Sequence, residues 1–174
     1  MPTLISQIVF ILFFSIRTFG IFAQDGEITT FILVRHAEKV KSDDKNPPLT
    51  TKGSERANLL ASMFEEVKID AIYSTNYIRT INTAKPLSNA TGVDMAFYEP
   101  RDYDELVATW LKNHNGQTVF VSGHSNTTPK VVNALLGVDE HADLTESEYD
   151  WVYIVDIIKV GVGKVKKLKV EIPR

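Results

Sequence analysis

The chain has 174 residues, a length typical of one globular domain. Its formal net charge is -3, which excludes a general attraction to nucleic acid or to an anionic membrane. It contains no cysteine, so disulfides, thiolate catalysis and cysteine-based zinc sites are excluded as well. Because the net charge is negative, a phosphate-binding site in this protein needs a local cluster of positive groups.

The N-terminal segment differs in composition from the rest of the chain. Residues 4–16 form an almost wholly apolar run of about 13 residues, whereas a membrane span needs roughly 20. This length, with the small Ala23 close behind, predicts a signal peptide at residues 1–24 and one working domain at 25–174. An uncleaved anchor that tolerates Arg17 is the alternative. We therefore expect a periplasmic or secreted protein, which contacts a membrane only through its leader if that leader is uncleaved.

Strands and helices are predicted to alternate from the start of the domain. An apolar, β-branched run at residues 28–34 predicts a buried strand, and the polar residues 41–48 predict a surface loop. Either Thr50 or Thr51 caps the first helix, in which apolar residues recur at helical spacing as far as Phe64.

The alternation continues through the middle of the chain. Strands are predicted at residues 69–73 and 93–98, on either side of a helix at 77–90. Pro86 lies inside that helix and is expected to kink or restart it. Another helix is predicted at residues 104–114.

The last predicted elements close the fold. A strand at residues 118–122 precedes a helix at 128–136, and alternating runs at 151–159 and 164–172 predict a closing β-hairpin. The whole pattern predicts an α/β fold, a three-layer α/β/α sandwich with a mainly parallel sheet and helices on both faces.

Charged and polar side chains cluster where the predicted strands end. Arg35 and His36 follow the first strand, Arg79 lies shortly after the second, and His124 follows the fourth. Ligands of parallel α/β sheets bind beyond the carboxyl ends of the strands, so we expect these four side chains to share one pocket. Guanidinium groups suit phosphate oxygens, a neutral imidazole suits a nucleophile, and a second, protonated imidazole suits transition-state charge.

Four segments resemble motifs of the histidine phosphatase superfamily, the phosphoglycerate mutase-like proteins. They occur in the family's order, at residues 33–39 (LVRHAEK), 49–57 (LTTKGSERA), 73–84 (YSTNYIRTINTA) and 121–127 (VSGHSNT). One such segment would be weak evidence, but four in order are specific. The resemblance implies a phosphoglycerate mutase-like fold and a short member of branch one.

The resemblance also implies a role for each matched residue. His36 matches the histidine that becomes phosphorylated, and Arg35 and Arg79 match the arginines that clamp the phosphate. His124 matches the second histidine of the pocket. The implied activity is hydrolysis of phosphate monoesters through a phosphohistidine, without a metal or another cofactor.

Substrate contacts are also expected at the start of the helix after His124. Backbone N–H groups at a helix start bind anions, and Ser125 and Asn126 occupy that position. Asn126 is expected first as the cap of the helix and second as a contact to the phosphate.

The proton donor to the leaving group is less constrained by the sequence. Larger branch-one members place a glutamate after the third strand, in a motif that this sequence does not reproduce. Glu99, Asp102 and Asp104 are the carboxylates available there, and we favour Glu99 because it lies closest to the predicted strand end. The spacer between Ala84 and Gly123 lacks the insertion of mutase-type members, which favours water as the phosphoryl acceptor and an open pocket.

Two other functions stay open at this point, a non-catalytic phosphate- or phosphosugar-binding protein and a phosphomutase. The expected partner is a small-molecule or envelope phosphomonoester, and no nucleic acid is expected. No histidine pair has the spacing of a shared-helix metal site, and the acidic run at residues 139–150 lacks the pattern of a calcium loop. We expect that run to be a solvated linker into the hairpin.

Overall fold

The structure, a computed structural model, describes residues 26–172. The predicted signal peptide at residues 1–24 lies outside the described residues. No helix in the described part of the chain has the length and hydrophobicity needed to cross a bilayer.

Strands and helices alternate along the described chain, as the sequence predicts. The strands are β1 (Thr29–Arg35), β2 (Ala71–Ser74), β3 (Met95–Phe97), β4 (Thr118–Gly123), β5 (Trp151–Lys159) and β6 (Val162–Lys169). The helices are α1 (Thr51–Phe64), α2 (Ile78–Thr91), α3 (Tyr103–Asn113) and α4 (Thr127–Leu136).

Two local predictions need adjustment. α2 runs through Pro86 as one helix and does not restart there. The hairpin turn is tighter than predicted, because β6 begins at Val162 and ends at Lys169. Gly161 supplies the positive φ of 79° that this turn needs, a conformation that glycine adopts without steric cost.

The six strands form one sheet in the order β3-β2-β4-β1-β5-β6. Neighbours among the first four strands in that order pair in parallel. β5 pairs antiparallel with β1, and β6 pairs antiparallel with β5. The prediction of a mainly parallel sheet with a closing hairpin is therefore confirmed.

Helices cover both faces of the sheet, because alternate residues of the central strands point in opposite directions. Phe31 and Leu33 of β1 join a core with residues of α3 and α4. Ile32 and Val34 join a second core with residues of α1 and α2. Burying one such side chain stabilises the fold by about 1.5–3 kcal/mol. The three-layer α/β/α prediction is confirmed.

The pairing of β1 with β4 positions the residues that follow both strands. Arg35 lies opposite Gly123 in the parallel register. The backbone N–H of His36 continues the ladder by donating to the carbonyl of Gly123 at 2.8 Å. His36 and His124 are therefore placed side by side at the carboxyl end of the sheet.

Candidate active site

A cavity of about 450 Å³ lies at the carboxyl ends of β1, β2 and β4. Its lining includes all four side chains that were expected to share a pocket, Arg35, His36, Arg79 and His124. The two imidazole rings lie edge to face, with centroids 5.5 Å apart. The sheet thus brings together residues that are distant in the sequence.

The His36 ring is held by the residue that follows it. Its Nδ1 lies 2.8 Å from the carbonyl oxygen of Ala37, which can only accept, so Nδ1 carries the hydrogen and Nε2 keeps its lone pair. The N–H of Ala37 donates in turn to Thr83 Oγ1 at 2.9 Å, which fixes the turn. This hydrogen bond therefore holds a neutral imidazole whose Nε2 is available as a nucleophile.

The electrostatic surroundings keep His36 neutral. The residue is only 3% exposed, and burial lowers its pKa to about 3. The hydrogen bond to Ala37 opposes this shift of the pKa, whereas the nearby positive charge of Arg35 adds to it. His36 is thus available as a nucleophile at neutral pH.

Arg35 is buried beside His36, and one end of its guanidinium is bound by backbone carbonyls of the protein. Its Nη1 donates to the carbonyls of Thr145 at 2.6 Å and Glu148 at 3.1 Å. Its guanidinium carbon lies 4.1 Å from the centre of the Tyr149 ring, a cation–π contact. These contacts fix the plane of the guanidinium and leave Nε without a hydrogen-bond partner, while Nη2 lies 3.5 Å from Glu146 Oε2.

Arg79 lies in the first turn of α2, on the other side of the histidine pair. Its guanidinium stacks on Tyr77 at 4.4 Å, and its Nη2 lies 3.4 Å from His124 Nδ1. Burial lowers its pKa, and the positive charge of Arg35 adds to that effect. The Nε atoms of Arg35 and Arg79 are both buried without a hydrogen-bond partner. Two converging cations with unsatisfied donors form a site for an anion.

The His124 ring has the opposite tautomer to His36. Its Nε2 lies 2.9 Å from Thr75 Oγ1, whose own hydrogen goes to Thr80 Oγ1 at 3.0 Å. Nε2 therefore donates to Thr75, and Nδ1 accepts from Arg79. The protonated form expected from the sequence is not favoured, because burial and the two arginines lower the pKa of His124 to about 4.

The turn that carries His124 leaves no room for a side chain at Gly123. A Cβ there would lie 2.8 Å from Thr127 Oγ1 and 2.9 Å from both Thr128 Oγ1 and the Tyr98 hydroxyl. The Thr127 hydroxyl accepts the N–H of His124 at 2.8 Å, so it fixes the backbone of the histidine. The glycine of the GHSNT segment is thus required by packing.

Ser125 and Asn126 both line the cavity, at the start of α4. Asn126 is the N-cap residue, but its side chain makes no capping hydrogen bond. Its exposed amide therefore stays free for a ligand, whereas the sequence suggested capping as its first role. The carbonyl of Ser125 accepts the N–H of Leu144 at 2.9 Å.

The three carboxylates proposed as proton donor lie in different places. Glu99 lines the cavity, with its side chain 72% exposed and 3.7 Å from Arg101. Asp102 is the N-cap of α3 and accepts the N–H of Glu105, so a structural task occupies it. Neither Asp102 nor Asp104 lines the cavity. Of the three, Glu99 alone is placed to reach a substrate.

The acidic run before β5 was predicted to be a solvated linker, and most of it is exposed, but it also contacts the site. Thr145 and Glu148 hold Arg35, Glu146 lines the cavity, and the Tyr149 ring lies 5.9 Å from that of His36. Local pattern could not reveal these contacts, because they span more than a hundred residues of sequence. The available signal was topological. A strand antiparallel to β1 must begin where β1 ends, so the residues before it reach the site.

The donor set suits an anion better than a cation. Three guanidinium groups and two imidazoles line the cavity, and Arg35 and Arg79 each have a buried donor without an acceptor. Among residues 26–172, no three histidine, aspartate or glutamate side chains are grouped closely enough to hold a metal ion.

Comparisons with known proteins agree with this geometry. The family model described as histidine phosphatase superfamily (branch 1) matches residues 31–100, a stretch that includes His36 and Arg79. No curated protein sequence gives a significant match.

Several solved structures share the fold at low sequence identity. The mycobacterial glucosyl-3-phosphoglycerate phosphatase is 11% identical with a TM-score of 0.67, covering 83% of this chain and all of its own. A putative phosphohistidine phosphatase, SixA, from Agrobacterium tumefaciens is 17% identical with a TM-score of 0.61, covering 82% of this chain and 99% of its own.

A mutase has the same fold as these phosphatases. The phosphoglycerate mutase of Bacillus anthracis is 13% identical with a TM-score of 0.65, covering 83% of this chain and 94% of its own. The chain therefore matches the model of the histidine phosphatase superfamily (branch 1) over residues 31–100, and it shares the phosphoglycerate mutase-like fold.

Proposed function

We propose that this protein is a phosphatase that hydrolyses phosphate monoesters through a phosphohistidine on Nε2 of His36. One observation carries the proposal. His36 is held as a neutral imidazole with a free Nε2, in a cavity lined by two arginines that each have a buried Nε without a hydrogen-bond partner. A phosphate dianion supplies the negative charge and the acceptor oxygens that this arrangement lacks.

The arginines and the start of α4 bind the phosphate in this proposal. The guanidinium groups of Arg35 and Arg79 hold the phosphate oxygens, with Ser125 and Asn126 as further contacts at the start of α4. Arg56 shows the same use of a guanidinium edge elsewhere in the protein, since its Nε and Nη2 hold both carboxylate oxygens of Glu38 at 2.9 and 2.8 Å. Positioning and positive charge are the main demands of this reaction.

Binding of the phosphate changes the protonation state of His124 in this proposal. A dianion beside Nδ1 of His124 favours the protonated ring, which reverses the effect of burial on its pKa. The imidazolium then donates to an equatorial oxygen as charge develops on the phosphoryl group. His124 is therefore a neutral group that takes up a proton when the substrate binds.

The chemistry proceeds in two steps without a metal. In the first step, the lone pair of His36 Nε2 attacks phosphorus as the bond to the leaving oxygen breaks, and the leaving oxygen takes a proton from an acid. In the second step, water attacks the phosphohistidine and restores the neutral ring. Glu99 is the acid that the sequence favours, and it lines the cavity.

The substrate class is a phosphomonoester met outside the cytoplasm, either a small molecule or a component of the cell envelope. The predicted signal peptide supports the location. The open cavity and the short connection from α2 to β4, which holds one three-residue strand and one helix, support water as the acceptor.

The test is release of inorganic phosphate from p-nitrophenyl phosphate in the presence of a chelator. We expect His36→Ala to lower kcat by about 10³-fold or more, because the nucleophile is removed. His141→Ala is the matched control, since that ring packs against Tyr153 away from the cavity and should leave activity unchanged. Phosphate binding without turnover would indicate a binding protein, and transfer to added glycerol in preference to water would indicate a mutase or phosphotransferase.

A further inference from the structure

The segment before β5 contains a tight turn with an acidic tip. The N–H of Glu148 donates to the carbonyl of Thr145 at 3.1 Å, which closes a β-turn with Glu146 and Ser147 at its centre. The Glu148 carboxylate braces the turn, because it accepts the N–H of Thr145 at 2.8 Å and the indole N–H of Trp151 at 3.0 Å. The backbone of Glu146 is therefore fixed within its own turn.

The turn is also attached to the body of the protein. Its Thr145 and Glu148 carbonyls both accept from Nη1 of Arg35, a residue that is only 2% exposed. The preceding Leu144 is buried and donates its N–H to the carbonyl of Ser125. The turn is thus fixed both to the end of β1 and to the start of α4, the two elements that form the phosphate site.

These attachments place the Glu146 carboxylate at the mouth of the site. Its Oε2 lies 3.5 Å from Nη2 of Arg35, the guanidinium nitrogen next to the one that holds the Thr145 and Glu148 carbonyls. Glu146 lines the reaction cavity and also a neighbouring cavity of about 570 Å³, whose lining includes Lys39 and Tyr149. The carboxylate therefore stands where the two cavities meet.

The in-line geometry of phosphoryl transfer places the leaving group near Glu146. The leaving oxygen must lie opposite the attacking nitrogen across the phosphorus atom. His36 is buried at the base of the cavity, so the leaving group points outward, towards the mouth and the neighbouring cavity. Glu146 is on that path, and its exposed side chain can reach the leaving oxygen.

We propose that Glu146 is the proton donor to the leaving group, a role that rests on the phosphatase function proposed above. This role requires the Glu146 carboxyl to carry a proton when the substrate is bound. As the phosphorus–oxygen bond breaks, the Glu146 proton passes to the leaving oxygen, and the phosphoryl group bonds to His36 Nε2. In the hydrolytic step, the Glu146 carboxylate takes a proton from the attacking water, so the cycle ends with the starting protonation states.

The geometry favours Glu146 over Glu99. Both line the cavity and both side chains are exposed, 83% for Glu146 and 72% for Glu99, but the Glu99 carboxylate pairs with Arg101 of its own surface loop. Glu146 contacts the arginine that directly precedes the nucleophile, and a turn with several internal hydrogen bonds presents it. Proximity to the phosphate clamp therefore distinguishes the two carboxylates.

The test compares substrates whose leaving groups differ in their need for a proton. Glu146→Gln should lower kcat/KM for an alkyl phosphate by about 10²-fold, because an alkoxide is a poor leaving group. For p-nitrophenyl phosphate, whose leaving phenolate needs no proton, we expect a loss of less than about threefold. Glu99→Gln is the competing variant, and Glu140→Gln is the matched control on the same connection, outside the cavity.

Each outcome decides the role. A loss confined to the alkyl phosphate in Glu146→Gln alone supports the proposal. The same selective loss in Glu99→Gln alone overturns it in favour of Glu99. An equal loss on both substrates also overturns it, since Glu146 would then only position Arg35. Because the p-nitrophenyl reaction reports on His36 independently, failure of this proposal is distinguishable from failure of the phosphatase function.

Discussion

The two histidines of the site differ in which nitrogen the protein uses to hold them. Nδ1 of His36 donates to Ala37, and Nε2 of His124 donates to Thr75. Each ring therefore has its other nitrogen left for a ligand, and in the proposed mechanism Nε2 of His36 is the nucleophile and Nδ1 of His124 contacts the phosphate. The roles of the two histidines follow from their hydrogen bonds, since both rings are neutral at neutral pH.

Thr75 gives a direct test of this division at the residue scale. Its side chain is buried, and its hydroxyl fixes the His124 tautomer. Thr75→Val keeps the shape but removes the acceptor, so we expect kcat/KM to fall about tenfold or more, in line with the cost of an unsatisfied buried donor. Thr75→Ser should recover most of the activity because it restores the hydroxyl.

Nitrogen NMR of the histidine rings shows whether Thr75 acts by fixing the His124 tautomer or only by filling space. We expect His124 to be the Nε2–H tautomer in the wild type and in Thr75→Ser, and a tautomer mixture in Thr75→Val. His36 should remain the Nδ1–H tautomer throughout. A wild-type His124 protonated on Nδ1 would contradict the assignment.

At the scale of elements, the loop that follows the nucleophile is tied to α1 and to the end of the chain. Arg56, which is 5% exposed, binds both carboxylate oxygens of Glu38 and donates to the carbonyl of Val170 at 2.7 Å. Burial raises the pKa of Glu38, but its hydrogen bonds to Arg56 outweigh that effect, so its pKa is held below 4.5. This pair connects three elements around the base of the site.

We expect Arg56→Ala to lower the free energy of unfolding by about 3 kcal/mol at pH 7, because it leaves a partly buried carboxylate without its partner. Lys52→Ala is the matched control. Lys52 contacts the same carboxylate at 3.6 Å but is 65% exposed, so its loss should cost about 1 kcal/mol or less. Urea denaturation of both variants measures the difference, and equal costs would contradict the view that the buried arginine anchors the loop.

The pH dependence of the same pair has a definite sign. A carboxylate with a lowered pKa contributes stability above pH 4.5, and that contribution is lost as the pH falls through the folded-state pKa. The gap in stability between the wild type and Glu38→Gln should therefore narrow below pH 4.5. A gap that is independent of pH would show that the charge of Glu38 plays no part.

At the scale of the whole molecule, the sequence predicted the order and layers of the strands and helices better than the residues that line the cavity from the segment before β5. The alternation of apolar runs and amphipathic helices predicted the α/β/α layers, and the position of His36 and His124 after predicted strands predicted that they would share a pocket. These features are repeated along many residues, so one ambiguous position does not change them.

The rest depends on contacts that no local pattern encodes. The hold on Arg35 comes from backbone carbonyls of Thr145 and Glu148, and any residue type supplies a carbonyl. The neutral state of His124 depends on burial and on Arg79, which are properties of the assembled site. The acid was therefore sought beside β3, while Glu146 reaches the same cavity from the antiparallel hairpin.

The buried histidine pair should also make the whole protein sensitive to acid. Unfolded histidines take up protons near pH 6.5, whereas in the fold His36 and His124 do so only at about pH 3 and 4. Below pH 6.5 the unfolded state binds more protons, so stability is fully present above that pH and falls as the pH drops. Each histidine contributes at most about 1.4 kcal/mol per pH unit.

Chemical denaturation between pH 7 and 5 tests this, in a range above the titration of most carboxylates. The double variant His36→Asn/His124→Asn should lose stability less steeply with falling pH than the wild type. Parallel curves would mean that the two histidines titrate near their ordinary pKa in the fold, and the neutral-nucleophile argument would lose its electrostatic basis.

The account as a whole depends on a covalent bond between phosphorus and His36. The most direct measurement is rapid mixing with substrate, quenching in alkali, which preserves phosphohistidine, and mass spectrometry of the resulting peptides. We predict one transient phosphoryl group on the peptide that contains His36, and none in His36→Ala. Turnover with no phosphorylated histidine at any time, or phosphorylation of His124 in place of His36, would contradict it.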